Sequence, residues 1–132
     1  MTKKMKVIVL LVLLAIVIGG GYGLYTMQRT KKYRQAVKET VVHEVDLSQI
    51  EDGRYTGSHD VDMINAKVQV EVEDHKIKNI QLLEHKNDRG KAAEQIVPEM
   101  VSQQKIKVDA ISGATNSSKV IQKAVENALK EQ

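Results

Sequence analysis

The sequence has no cysteine, tryptophan or phenylalanine, and it has only one proline and four tyrosines. Without cysteine the chain forms no disulfide, offers no thiolate to a metal, carries no cysteine-linked lipid and has no cysteine nucleophile. Three of the tyrosines precede residue 34, so the rest of the chain holds one aromatic side chain, Tyr55. Since aromatic stacking contributes about 0.5–1.5 kcal/mol per pair beyond area burial, a planar ligand would gain little from ring contacts here.

The histidines and acidic residues lack the spacing of a metal site. No two histidines share the four-residue helical spacing or the short spacing that a zinc site needs. Asp60 and Asp62 alternate as in a calcium loop, but the glycine and the closing glutamate of an EF-hand are missing. We therefore expect no metal and interpret the histidines as surface groups. They are His43, His59, His75 and His85.

Charge is distributed unevenly along the chain. Residues 1–44 hold 8 Lys or Arg against 2 Glu, a formal charge of +6, whereas residues 45–132 hold 12 against 15 acidic residues, a charge of −3. A nucleic-acid-binding domain would be expected to show a basic face. The folded part of the chain is therefore predicted not to bind nucleic acid.

Residues 7–27 form an uncharged segment of 21 residues. At a rise of about 1.5 Å per residue, a helix of this length matches the roughly 30 Å of a bilayer core. The most apolar part, residues 7–18, is followed by four glycines within five residues, which is also typical of a signal peptide near its cleavage site. We favour an uncleaved anchor, because Leu24 and Tyr25 extend the apolar stretch.

Basic residues flank this segment on both sides, so charge alone does not orient it. A short basic head next to an apolar core resembles an export signal, and we therefore expect the folded domain outside the cytoplasm. The predicted organisation is an anchor or signal sequence at 1–28, a juxtamembrane stalk or linker at 29–49 and a folded domain at 50–132. For the stalk, a helix with one apolar stripe and a solvated linker remain equal alternatives.

The domain begins with strand patterns. Residues 66–73 alternate apolar and polar side chains without a break, which predicts a half-buried strand. Asp74 and His75 predict a turn, and the apolar residues after them predict a second strand paired in a hairpin. Residues 90–104 return to helical spacing, with Pro98 in the first turn of a second short helix or at a kink. These patterns predict an α+β domain with a small antiparallel sheet and two or three helices.

Residues 108–118 read Val-Asp-Ala-Ile-Ser-Gly-Ala-Thr-Asn-Ser-Ser. Ser112 and Gly113 predict a sharp turn, and apolar residues at helical spacing follow Ser117. Thr115 is therefore expected just before a helix N-terminus, where unpaired N–H groups and the helix dipole favour a phosphate. The same residues are typical of an ordinary N-cap, so the two interpretations stay open on this pattern alone.

The sequence offers no pair of nucleophile and base. Ser112 lacks the glycines on both sides that a hydrolase serine elbow requires. Thr115 has no base in its own sequence neighbourhood, and an unactivated hydroxyl is a poor nucleophile near pH 7. We therefore assign no catalytic residue and expect Thr115 to be the substrate of another enzyme.

Residues 109–115 resemble the flavinylation signature of the FMN-binding domain family, which has an Asp, two variable residues, Ser or Thr, and then Gly-Ala-Thr. The order of elements over roughly residues 50–131 is also similar to this family, which includes flavin-bearing subunits of the sodium-pumping NADH:quinone reductase and the Rnf complex. The resemblance implies that a flavin transferase takes FMN from FAD and joins its phosphate to Thr115.

By this resemblance the chain is a membrane-anchored, extracytoplasmic electron carrier that passes electrons between a membrane donor and another carrier. The alternatives are a non-covalent FMN binder and a membrane-tethered interaction or sensory module without a redox role. Each expected site residue has a role. Thr115 is the expected FMN attachment point, Ser112 provides a hydroxyl contact, and Gly113 with Ala114 gives clearance for the flavin. Asp109 fixes the loop, Tyr55 contacts the flavin ring, and Ser117 starts the helix that seats the phosphate.

Overall fold

The computed structural model describes residues 2–87 and 90–130. The chain divides into two compact units, of which one ends at Gln35 and the other begins at Ala36. Helix α1, Lys3–Glu39, contains the whole predicted membrane segment and is long and apolar enough to cross a membrane. Helix α1 continues to Glu39, so residues 30–39 of the predicted stalk are helical, whereas residues 40–46 have no regular structure.

The second unit has the predicted α+β composition. Two short 3₁₀ helices, Leu47–Gln49 and Lys91–Gln95, lie in its connections. The strands form one antiparallel sheet in the order β1-β2-β3. The regular elements are β1 (Gly53–Asp60), β2 (Asn65–Glu73), β3 (Lys76–Lys86), α2 (Ile96–Gln103) and α3 (Thr115–Lys130).

The predicted hairpin is confirmed. Its turn, Asp74-His75, has φ angles of 53° and 60°, the left-handed values that match the twist of two paired strands. Asp52 supports the turn, because its carboxylate accepts the N–H of Asp74 at 2.8 Å. The alternation in β2 buries every second residue, as a strand with one covered face requires. The buried residues are Ala66, Val68, Val70 and Val72.

Strand β3 departs from simple alternation at two bulges, where Lys78 and Leu83 have no partner in β2. Each bulge adds one residue and shifts the side-chain alternation by one position. As a result Ile77 and Ile80, which are three residues apart, are both buried. Leu83 is left on the exposed side of the strand.

The helices cover one face of the sheet. Pro98 is the third residue of α2, which follows the 3₁₀ helix Lys91–Gln95, so the prediction of two short helices with proline in a first turn is confirmed. Helix α3 supplies much of the core and packs on β1 and β2. At Gly57 the approach is so close that a Cβ atom would lie 2.5 Å from the carbonyl oxygen of Ala124. The site therefore lies at the start of the helix that holds the domain together.

Candidate functional site

The turn before α3 is built around Gly113. The N–H of Ala114 donates to the carbonyl of Ile111 at 2.9 Å, which closes a four-residue turn with Ser112 and Gly113 at its centre. Gly113 has φ = 79°, a value that L-residues other than glycine adopt only with strain. A Cβ atom there would meet nothing within 4 Å. Glycine is therefore required for the backbone conformation, and the space beside it is open.

Helix α3 begins at Thr115 itself, not after Ser117 as expected. The first helical hydrogen bond runs from the N–H of Ser118 to the carbonyl of Ala114 at 2.9 Å. Ala114 therefore occupies the cap position and Thr115 the first helical position. The side chain of Thr115 is exposed and lies at the positive end of the helix dipole. The N-cap interpretation of Thr115 is wrong by one residue, because the turn closes on Ala114.

The three hydroxyl groups at the start of α3 have different environments. Ser118 is fully buried, and its Oγ accepts the N–H of Ile111 at 3.1 Å and donates to the carbonyl of Ala114 at 2.8 Å. Ser117 is 2% exposed and packs against Gly90. A Cβ atom added to Gly90 would lie 2.6 Å from the Cβ of Ser117. Its Oγ has no hydrogen-bond partner in the described part of the chain. Only Thr115 of the three presents its hydroxyl to solvent.

Ser118 has the loop-fixing role that was expected of Asp109. Asp109 is exposed, and the loop N–H groups of Ile111 and Ala114 bond to Ser118 Oγ and to the Ile111 carbonyl instead. Sequence reasoning missed this function because a serine in the first turn of a helix has the same pattern whether it faces solvent or the loop. Ser112 is exposed beside Gly113 in the turn.

Tyr55 is not brought together with this loop. Its ring lies beside Gly53 and its hydroxyl donates to the carbonyl of Glu51 at 2.6 Å. Two residues further along β1, Gly57 contacts the backbone of Ala128, which is 13 residues after Thr115. At 1.5 Å per residue this separation is about 20 Å along α3. Tyr55 therefore lies near the C-terminal half of the helix, far from the expected flavin attachment point.

Two further side chains hold the segment that leads into the loop. Residues 106–108 pair with no strand of the described sheet. The Gln122 amide donates to the carbonyls of Ile106 and Val108 at 3.1 and 2.8 Å. The Glu44 carboxylate accepts the N–H groups of Ile106, at 3.2 Å, and of Lys107. Neither residue belongs to a sequence motif, and we identify no local signal that would have revealed them.

The same helix also binds residues 37–43 through its polar side chains. The Lys119 ammonium donates to the Val37 carbonyl at 2.7 Å, and that of Lys123 donates to the Val41 carbonyl at 2.9 Å. The ammonium of Lys119, a residue near the N-terminus of α3, is therefore bound to a backbone carbonyl. One turn further on, the Glu126 carboxylate bonds to Lys123 and to the N–H of His43.

Burial raises the pKa of Glu126, but the hydrogen bonds from Lys123 and from the His43 N–H outweigh it, so the pKa is lowered. The pKa of His59 is lowered by burial and by the charge of Lys123, against the opposing effect of Asp60. The Glu126 side chain is only 1% exposed. It therefore stays ionised and paired while His59 stays neutral near pH 7.

His85 departs from the expected surface position of the histidines. Its side chain is 2% exposed, and its Nδ1 lies 3.2 Å from the Glu94 carboxylate. Its Nε2 is buried and lacks a hydrogen-bond partner in the described ranges. A single position at a strand end carries no periodicity that would separate a buried histidine from an exposed one. In residues 2–87 and 90–130, no three His, Asp or Glu side chains converge as a metal site requires.

The arrangement suits attachment of a phosphate group. An exposed threonine lies at a helix N-terminus, two residues after a glycine with open space beside it. In the same helical turn, the buried Ser117 hydroxyl has no protein partner in the described residues. In comparisons with known proteins, the sequence model of the FMN-binding domain family matches residues 62–130. No curated protein matches the chain.

Proposed function

Because the chain belongs to the FMN-binding domain family, we propose that it is a membrane-anchored electron carrier with FMN joined through its phosphate to Thr115. The matched residues include the whole loop and the helix that follows it. Helix α1 is long and apolar enough to cross a membrane, which supports the anchored form. The proposed location of the domain is the extracytoplasmic side.

The exposure of Thr115 is the observation that carries the proposal. A transferase can reach an acceptor hydroxyl only if it is accessible, and Thr115 is exposed whereas Ser117 and Ser118 are buried. The space beside Gly113, two residues before Thr115, is open. The phosphate would then lie at the positive end of α3, where negative charge is stabilised.

Attachment would be a phosphoryl-type transfer without change of oxidation state. The Thr115 Oγ forms a bond to the flavin-side phosphorus of FAD, the pyrophosphate bond breaks, AMP leaves and the hydroxyl proton is released. The flavin transferase supplies the catalytic groups, and the chain supplies a fixed acceptor. FMN, once bound, provides reversible one- and two-electron chemistry. The protein holds it covalently, which offsets the shortage of aromatic residues for stacking.

The first experiment is the intact mass of the full chain produced with and without a flavin transferase. We expect an added mass of one FMN less one water, flavin fluorescence that persists on a denaturing gel, and localisation of the addition to the peptide 108–119. Thr115→Ala should abolish the addition. Because Thr115 is an exposed residue that does not cap the helix, this change should alter the free energy of unfolding by less than about 0.5 kcal/mol.

The matched control is Ser58→Ala, which removes an exposed hydroxyl from β1, outside residues 109–115, and should leave the addition in place. Flavin that copurifies with the chain but is released on denaturation would replace the covalent proposal by non-covalent binding. A chain that retains no flavin even with an active transferase would leave a membrane-tethered interaction module.

A further inference from the structure

The segment that precedes the acceptor loop depends on side chains for its backbone hydrogen bonds. Residues 106–108 have no strand partner within the described sheet, although Ile106 is 2% exposed. A buried backbone group without a partner costs about 1–3 kcal/mol. The N–H of Val108 bonds to the Ile106 carbonyl at 2.8 Å. The remaining hydrogen bonds described for this backbone segment are made by the side chains of Gln122 and Glu44.

Glu44 and Gln122 act on opposite polar groups of this segment. Gln122 lies on α3 and donates to carbonyl oxygens, whereas the Glu44 carboxylate accepts two consecutive N–H groups, those of Ile106 and Lys107. Hydrogen bonds to a carboxylate are about twice as strong as neutral ones. Together the two side chains take the place of neighbouring strands and fix the chain shortly before Asp109.

Glu44 is itself held in position by α3. One residue before Glu44, the N–H of His43 donates to Glu126, and three residues before it, the carbonyl of Val41 accepts from Lys123. The short segment 40–46, which has no regular structure, is therefore fastened to the same helix that begins at Thr115. This segment lies outside residues 62–130, which match the family.

We propose that Glu44 is a positioning residue for flavin attachment, so that the segment 40–46 is part of the acceptor site. This inference rests on the proposed function of Thr115. Glu44 acts by holding residues 106 and 107, from which the chain leads into the turn closed by Ile111 and Ala114. Without its carboxylate the loop samples more conformations, and the transferase meets the productive one less often.

The test uses the full chain in membranes or detergent, purified without flavin and then mixed with FAD, Mg²⁺ and a flavin transferase. We expect Glu44→Ala to lower the initial rate of flavin incorporation at least tenfold. Glu44→Gln, which retains one acceptor oxygen, should give an intermediate rate. The matched control is Glu51→Ala, which removes an exposed carboxylate whose residue contributes only a backbone carbonyl to the bonds described above.

Amide hydrogen exchange on the unmodified chains separates positioning from a general loss of structure. In Glu44→Ala the amides of Ile106 and Lys107 should exchange faster, while the amides of β2 keep the protection of the wild-type chain. If Glu44→Ala also loses protection in β2, the loss is general and the positioning role is wrong.

The outcomes for the proposed function and for this inference differ. A wild-type chain that takes up no flavin overturns the proposed function and the inference with it. A wild-type chain that is labelled at the same rate as Glu44→Ala overturns the inference alone. Rates that fall in the order wild type, Glu44→Gln, Glu44→Ala, with Glu51→Ala equal to wild type, support it.

Discussion

The two halves of α3 each depend on a glycine, for different reasons. The C-terminal half packs on a glycine of β1, and the N-terminal end follows a glycine in the preceding turn. Near the C-terminal half, Gly57 of β1 lies so close to the helix that a Cβ atom would come within 2.5 Å of the Ala124 carbonyl oxygen and 2.6 Å of the Ala128 Cα. At the N-terminal end, Gly113 has open space around it and a φ angle of 79°. The first glycine is required by packing and the second by backbone conformation.

This difference divides stability from function along one helix. The contact at Gly57 brings α3 against the sheet and buries the core, so it determines whether the domain folds. The turn at Gly113 buries little and instead sets the position of the exposed Thr115. Substitutions in the two regions should therefore have different signatures, one in the free energy of unfolding and one in flavin attachment.

Gly57→Ala should have the largest effect on stability. The added methyl group meets backbone atoms of α3, which cannot rotate away, so the helix and the sheet must separate. Overpacking of a core costs about 1–3 kcal/mol and more where the backbone must shift, and we expect a loss of at least about 3 kcal/mol. Urea denaturation followed by circular dichroism measures it. A loss no larger than that of the exposed neighbour variant Ser58→Ala would contradict the close packing.

Glu126→Gln should have an intermediate effect that depends on pH. Since the folded pKa of Glu126 lies below its ordinary value of 4.5, ionisation stabilises the fold above that pH, and the contribution is lost as pH falls through the folded pKa. Hydrogen bonds to charged groups contribute about 1.5–3 kcal/mol, which sets the expected difference at pH 7.

The measurement for Glu126 is the unfolding temperature of both chains between pH 7 and pH 3. The gap between them should narrow below about pH 4.5. His59 affects stability in a different pH range. Because burial and Lys123 lower its pKa in the folded chain, protonation below its ordinary pKa of 6.5 favours the unfolded chain. A gap that is the same at pH 3 as at pH 7 would mean that the carboxylate charge does not contribute.

Gly113→Ala should have the smallest effect on stability and a clear effect on function. The left-handed conformation costs an L-residue about 1–2 kcal/mol, and the space around Gly113 adds no steric cost. We therefore expect a loss of about 1 kcal/mol together with slower flavin incorporation, because the turn that presents Thr115 relaxes. If Gly113→Ala is labelled at the wild-type rate, the turn conformation is not what the transferase requires.

The parts of the fold that could be predicted are those with a strong local pattern. Alternation in β2 and the Asp74-His75 turn predicted the hairpin, and Pro98 predicted the division between the 3₁₀ helix and α2. The bulges in β3 could not be predicted, because Ile77 and Ile80 are three residues apart, a spacing that does not fit the period of two of a regular strand. Only pairing with β2 determines which residues are extra.

The motif of the candidate site could be predicted from the sequence, but the side chains that hold the loop in place could not. The order of residues 109–115 predicts Thr115 as the attachment point, and the glycine turn has the expected place. The roles of Ser118, Gln122 and Glu44 required the structure, since each depends on a partner between 4 and 63 residues away. Tyr55 was expected at the flavin only because it is the sole aromatic residue of the domain, and that count carries no information about distance.

By itself, the sequence determined an apolar N-terminal helix, an α+β domain and a motif that resembles the flavinylation signature and ends at Thr115. These follow from local periodicity and from the order of a few residues. Only the tertiary structure decided that Thr115 is exposed while Ser117 and Ser118 are buried, and that Glu44 reaches the backbone of Ile106 and Lys107. The physical reason is that burial and side-chain-to-backbone hydrogen bonds depend on which segments meet in space, and residues far apart in the chain leave no local pattern of that meeting.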